Sequence, residues 1–226
     1  TLNDGSLNYG ELLIKGERPE EIIFSCYICH PSMCNDNLSG VSIVTFLAKQ
    51  LLKNKLKYSY RFLFVPETIG AITWLARNKS KIKNIKCGLI ATCLGDPGKS
   101  TYKKTRTANT IIDQVVERVL IDSETPYDII DFAPFGSDER QFCSPGFNLP
   151  FGVLMRTPFG QFPEYHTSAD NLNFIKEEFL FDSFKKYLEV IFILENNETY
   201  LNVNLMCEPH LRKNHLYSSL GALRLE

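Results

Sequence analysis

The chain has 226 residues, 44% hydrophobic and 23% charged, with a formal net charge of -1 at pH 7. That length and balance suit one α/β domain with a sizeable core, and they remove any electrostatic case for a nucleic-acid or membrane-surface partner. No apolar run approaches the ~20 residues that span a bilayer, no signal peptide opens the sequence, and a start at Thr1 rather than Met reads as a fragment.

The predicted elements alternate between strand and helix. Residues 7–15 read as an opening strand closed by the turn Gly16-Glu17-Arg18-Pro19, and 21–28 as the first central strand. A helix with apolar residues at helical spacing follows from about Val41 to Asn54. A strand over 60–65 stops at Pro66, a helix spans about 69–78, and a third apolar strand covers 87–94 before Gly95-Asp96-Pro97-Gly98. Apolar strands joined by amphipathic helices indicate right-handed crossovers and a mostly parallel sheet. Thr101 to Thr107 reads as a short polar strand or loop, and Asn109 or Thr110 caps a helix reaching Asp122. Two further strands, 127–132 and 149–155, flank a long loop over 133–148. A second long loop, 156–173, precedes a closing helix over about 176–195, and long loops inside compact domains are usually functional. The expected organisation is a domain over residues 1–195, then a docking strand or linker over 196–226 toward a domain outside this chain.

There are seven cysteines, an odd number, and Cys26, Cys87 and Cys93 lie inside apolar runs. They read as reduced thiols in a core, and the expected compartment is the cytoplasm.

Polar residues collect where the predicted strands end. His30 and Asp36 follow the first central strand, Glu67 and Thr68 the second, and Asp96 the third. Ser137-Asp138-Glu139-Arg140 and Glu164-Tyr165-His166-Thr167 lie in the long loops. In a parallel sheet these ends share one edge, where open α/β sheets place their ligands. Imidazole and carboxylate groups that converge there match the donors zinc prefers, and a nearby Glu supplies the proton acceptor a metallohydrolase needs. Each residue also has a simpler structural reading. Asp36 reads as a helix cap, Glu67 as a first-turn acid, Asp96 as a turn residue and His166 as a hydrogen-bonding loop side chain. Asp138 and Asp170 read as structural partners of loop amides or Arg140, and His210 and His215 as solvated.

The order His30...Asp36-Asn37-x-Ser39-Gly40, Glu67-x-x-Gly70, Asp96-x-Gly98, Ser137-Asp138 and Tyr165-His166-Thr167-x-x-Asp170 resembles the co-catalytic zinc aminopeptidase superfamily. More closely, Cys29-His30-Pro31-Ser32, Pro66-Glu67-Thr68-Ile69-Gly70 and Glu164-Tyr165-His166-Thr167-Ser168-Ala169-Asp170 are similar to a bacterial aminopeptidase-like family linked to surface-polysaccharide biosynthesis. The resemblance spans about residues 5–195. It implies a three-layer zinc-exopeptidase fold, a mostly parallel mixed sheet with helices on both faces. It also implies zinc as cofactor, with His30 and Asp96 on one ion, Asp36 as a bridging carboxylate and His166 on the second. Glu67 takes the general-base position for hydrolysis of an amide bond in a small peptide or amide-containing substrate.

One departure weighs against the second ion, and another alters a partner of the first His. Thr68 stands where the superfamily has a second Glu ligand, and Ser32 where it has an Asp that orients the first His. One ion is then the expectation and a second the alternative, with Glu139, Glu164 or Thr68 as additional ligands or substrate-binding groups. Two further readings stay open: a non-catalytic zinc-binding module, and an amidase or deacylase acting on a sugar-linked acyl or amino-acid group. Oligomeric state is left open.

Overall fold

The computed structural model describes residues 5–198, 200–204, 206–207, 210–216, 219–220 and 223–224. The chain divides into two compact units, Thr1–Asn196 and Asn197–Glu226. In the first unit, strands β1 (Gly10–Ile14), β2 (Glu21–Tyr27), β3 (Ser59–Val65), β4 (Ile85–Ala91), β5 (Ser100–Lys103), β6 (Tyr127–Ile130) and β7 (Phe151–Met155) form one sheet. Their spatial order is β1-β3-β2-β4-β7-β5-β6. Strands β3, β2, β4 and β7 run parallel, β1 pairs antiparallel with β3, and β5 pairs antiparallel with β7. The fold is therefore the expected mixed α/β sheet with helices on both faces.

β2 is buried at every residue, as a parallel strand covered on both faces must be. One apolar layer packs it against helices α1 (Ser39–Leu51), α3 (Ile111–Asp122) and α5 (Glu177–Asn196), through Ile43, Leu47, Val116, Tyr187 and Ile191. The opposite layer packs Ile23, Leu63 and Phe151 against α2 (Ile69–Arg77) and the short α4 (Glu139–Phe142), through Trp74 and Phe142. α4 lies inside the loop predicted over 133–148. Four residues carry too little periodicity to announce a helix.

Polar contacts pin the two ends of the unit. Arg61 on β3 is 3% exposed and grips Glu21 through two bonds, 2.6 and 2.8 Å, while also pairing with Glu11 of β1. Glu195, at the end of α5, accepts the backbone N–H of Lys57 at 2.6 Å and the Tyr60 hydroxyl at 2.9 Å. α3 opens with a reciprocal capping box between Thr110 and Asp113.

The seven cysteines are all unpaired, with Cys26, Cys87, Cys93 and Cys143 buried. Among the described residues no helix is long and apolar enough to cross a membrane. The second unit holds a 3-10 turn, Leu211–Asn214, and a pair of two-residue strands, Ser219–Leu220 and Leu223–Arg224. His210 and His215 are exposed there.

Candidate metal centre

The carboxyl ends of β2, β3, β4 and β7 share one edge of the sheet, because these strands are parallel. After β2 the chain makes a π-helical turn, Cys34–Leu38, in which Asp36 and Asn37 leave helical geometry and are joined by a cis peptide bond. Neighbours hold this turn through several of its polar groups. Asp170 accepts the N–H groups of Asn35 at 2.6 Å and Asp36 at 2.9 Å. Asn37 donates to the Ala91 carbonyl at 2.9 Å and accepts the Gly40 N–H at 3.2 Å. Ser39 bonds the Asn35 carbonyl and accepts the Leu94 N–H. Gly40 permits the close approach, since a Cβ there would lie 2.3 Å from the Ala91 oxygen. Asn37 thus takes the capping duty that the simpler reading gave Asp36, and the Asp36 carboxylate is left to face the rim.

His30, Asp36 and His166 each offer a ligand atom, all within 4.8 Å of one another. His166 Nε2 lies 3.0 Å from Asp36 Oδ2, and the two imidazole rings stack at 5.1 Å. Tyr165 stacks on His166 at 3.9 Å, and Tyr27 meets His30 edge-on at 5.3 Å. Asp36 is 1% exposed, and its Oδ2 makes no hydrogen bond although His166 Nε2 lies close by. A buried carboxylate oxygen without a partner is costly unless a cation meets it. Two imidazoles and one carboxylate are the donor types zinc takes at catalytic sites, so the residues fit that ion.

A second donor set, Cys29, His30 and Glu67, shares His30 with the first. Glu67 leaves β3 after Pro66, and its N–H donates to Cys29 Sγ at 3.3 Å. Burial raises the Glu67 carboxyl above its ordinary value; His30 opposes this and Asp36 adds to it. Thr68, at φ 64°, donates its N–H to Asp138 Oδ1 at 2.6 Å and accepts from Arg140 at 3.0 Å through its hydroxyl. Burial lifts the Asp138 carboxyl to about 7, against the pull of the Thr68 N–H, with Glu67 and Glu139 pushing the same way as burial.

Four candidate residues stand apart from the donor sets. Asp96 is not brought into the cluster. Its oxygens accept from Asn35 at 3.0 Å, Gly98 at 2.8 Å, and the Thr157 hydroxyl and N–H. The reason is local: β4 ends at Ala91, so the residue leaving it toward the site is Thr92, whose hydroxyl lies 2.6 Å from the Tyr27 hydroxyl. Asp96 comes four residues later, in a turn that serves Thr157. Glu139 is fully buried, its Oε1 pairs with Lys103 at 2.7 Å, and it belongs to neither donor set. Thr68 is held by Asp138 and Arg140, and the Glu164 carboxylate belongs to neither donor set. Sequence reasoning missed Tyr27 and Thr92, and it gave Cys29 no place in the site. Tyr27 and Thr92 stand at or just beyond a strand end, which is the signal that could have found them. A cleft of about 340 Å³ lies along Gly98, Arg156 and Phe179, and it contains none of the donor residues.

The mixed sheet with helices on both faces is the fold of the zinc aminopeptidases. The zinc aminopeptidase of Bacillus subtilis shares this fold at a TM-score of 0.71 and 13% identity, over 84% of this chain and 50% of that one. The chain itself belongs to the family described as "Domain of unknown function (DUF4910)", whose model matches residues 1–197. It is 59% identical, over 221 residues, to a Clostridium acetobutylicum protein whose name provisionally assigns it to polysaccharide biosynthesis with an aminopeptidase-like domain. That match covers 98% of this chain and 51% of the relative, so the chain spans about half the length of the curated relative it matches. A crystal structure from Clostridium acetobutylicum, named provisionally as a peptidase, matches at a TM-score of 0.89 and 60% identity, over 94% of this chain and 50% of that one.

Proposed function

We propose that the domain is a zinc-dependent hydrolase of aminopeptidase type, cleaving an amide bond at the His30–Asp36–His166 cluster. The observation that carries this reading is the buried, unpartnered Asp36 Oδ2 beside two imidazoles, with Glu67 sharing a donor set with one of them. Zinc held by His30, Asp36 and His166 would supply a Lewis acid for the amide carbonyl and lower the pKa of a coordinated water toward ~7. Glu67 takes the proton of the attacking water on its carboxylate and returns it to the leaving amine. Its raised proton affinity suits both halves of that exchange. Asp138 and Arg140 hold Thr68, and with it the turn that aims Glu67. Glu164, two residues before His166, is the carboxylate offered to a substrate ammonium.

The test is Glu67→Gln, read by metal analysis and by hydrolysis of a panel of aminoacyl amides. The expected result is unchanged zinc content with activity lower by about 10²–10⁴-fold. Full activity in the zinc-loaded variant overturns the base role. Because the relative's name points to polysaccharide biosynthesis, the panel includes N-acyl sugars. Turnover confined to those substrates replaces the peptidase reading with a deacylase one. Bound zinc without turnover of either class leaves a non-catalytic module.

A further inference from the structure

We propose that Tyr27 restricts this centre to a single cation, an inference that rests on the metal-centre reading above. The common carboxylate bridge between two ions gives one oxygen to each. Asp36 Oδ2 is the unpartnered oxygen beside His166. Asp36 Oδ1 is already taken, because it accepts the hydroxyl hydrogen of Tyr27. The same phenol oxygen lies 2.6 Å from Oγ1 of Thr92. Asp36, Tyr27 and Thr92 are 1%, 3% and 0% exposed, so this hydroxyl chain is sealed from solvent. The Tyr27 oxygen therefore stands within hydrogen-bond reach of both Asp36 Oδ1 and Thr92 Oγ1, so a second ion arriving at Oδ1 has to compete with the phenol. Zinc lies ~2.0–2.2 Å from a carboxylate oxygen, so an ion that approaches Oδ1 from the side of Tyr27 meets the phenol.

The remaining route to a second ion runs through Cys29, His30 and Glu67, and it is closed by the shared imidazole. His30 Nδ1 lies 3.3 Å from Cys29 Sγ. A neutral imidazole offers one lone pair to a metal, since its other nitrogen carries a hydrogen. An ion on the thiol-containing set therefore competes with one on His30, Asp36 and His166. It would also remove Glu67 from proton transfer. Tyr27 contributes to the single site as well, because its ring packs edge-on against His30 while its hydroxyl fixes the Asp36 carboxylate.

The experiment is a zinc titration of the metal-free 226-residue chain, with bound metal counted by mass spectrometry after removal of excess. One ion per chain at tenfold excess is expected. Two ions per chain overturn the inference while leaving the metal centre standing, whereas none overturns the metal-centre reading itself. The double variant Tyr27→Phe/Thr92→Asp removes the phenol oxygen and sets a carboxylate across from Asp36 Oδ1. It should bind two ions. One ion in a variant with unchanged circular dichroism overturns Tyr27 as the excluding group. Should that variant misfold, cobalt(II) added to the unaltered chain decides the question. An isolated high-spin signal that stops growing at one equivalent is expected, and a spin-coupled pair at two equivalents contradicts it.

Discussion

Replacing Asp138 with Asn should stabilise the metal-free chain at pH 8 and leave it unchanged at pH 4. Asp138 is completely buried, its Oδ1 accepts the Thr68 N–H at 2.6 Å, and its Oδ2 has no partner. Burial therefore raises its carboxyl to about 7 in the fold, against ~3.9 in an unfolded chain. With the folded value above the unfolded one, the native state binds a proton that the unfolded state has lost between about pH 4 and pH 7. Stability from this group consequently falls as pH rises through that window. Three pH units at ~1.36 kcal/mol each give about 4 kcal/mol. Asn keeps the acceptor for the Thr68 N–H and cannot ionise. The assay is urea unfolding at pH 4, 6 and 8 with a chelator present, followed through the fluorescence of the single, buried Trp74. The reasoning predicts a difference that grows with pH toward about 4 kcal/mol in favour of the variant. A difference independent of pH, or a variant less stable at pH 8, refutes it.

Three other predictions concern buried charge and the proposed base. Arg61→Leu strands Glu11 and Glu21 beside the sheet; a loss of about 3–5 kcal/mol is expected in urea unfolding, and a loss under 1 kcal/mol contradicts it. Lys103→Met should cost about as much by leaving Glu139 unpaired, whereas Lys103→Met/Glu139→Gln should recover most of the loss; additive losses would show the pair is not coupled. The acid limb of kcat/KM should report Glu67. Because burial raises that carboxyl, the midpoint should lie above the ordinary ~4.3, with activity lost as pH falls through it; a limb that persists in Glu67→Gln belongs to another group.

Much of the architecture is written into the order of apolar runs. Ile22 to Cys26, Tyr60 to Val65 and Cys87 to Ala91 are continuous enough to require cover on both faces, and that alone implies parallel strands with shared carboxyl ends. His30 and Glu67 follow from those ends. His166 is legible as an imidazole in a long aromatic loop, but its distance to Asp36 depends on the fold of that loop. Asp96 stands outside the donor sets, and composition cannot tell which residue past a strand points at the site. Thr92 does so, while Asp96 answers to Thr157 and Asn35. Tyr27 hides for another reason. An aromatic residue ending an apolar strand reads as core, and only the shape of the turn around Asp36 brings a carboxylate to its hydroxyl. The Lys103–Glu139 pair joins β5 to α4 across 36 positions, a contact that no local pattern encodes.

The claim beneath the whole account is that His30, Asp36 and His166 hold one divalent ion together. An anomalous difference map from zinc-soaked crystals, recorded on both sides of the zinc edge, tests it directly. The account predicts one peak, ~2.0–2.2 Å from a nitrogen of each histidine and from Asp36 Oδ2, with the Tyr27 hydroxyl still on Oδ1. A peak on Cys29 and Glu67 alone, or density at the rim without zinc anomalous signal, would contradict it.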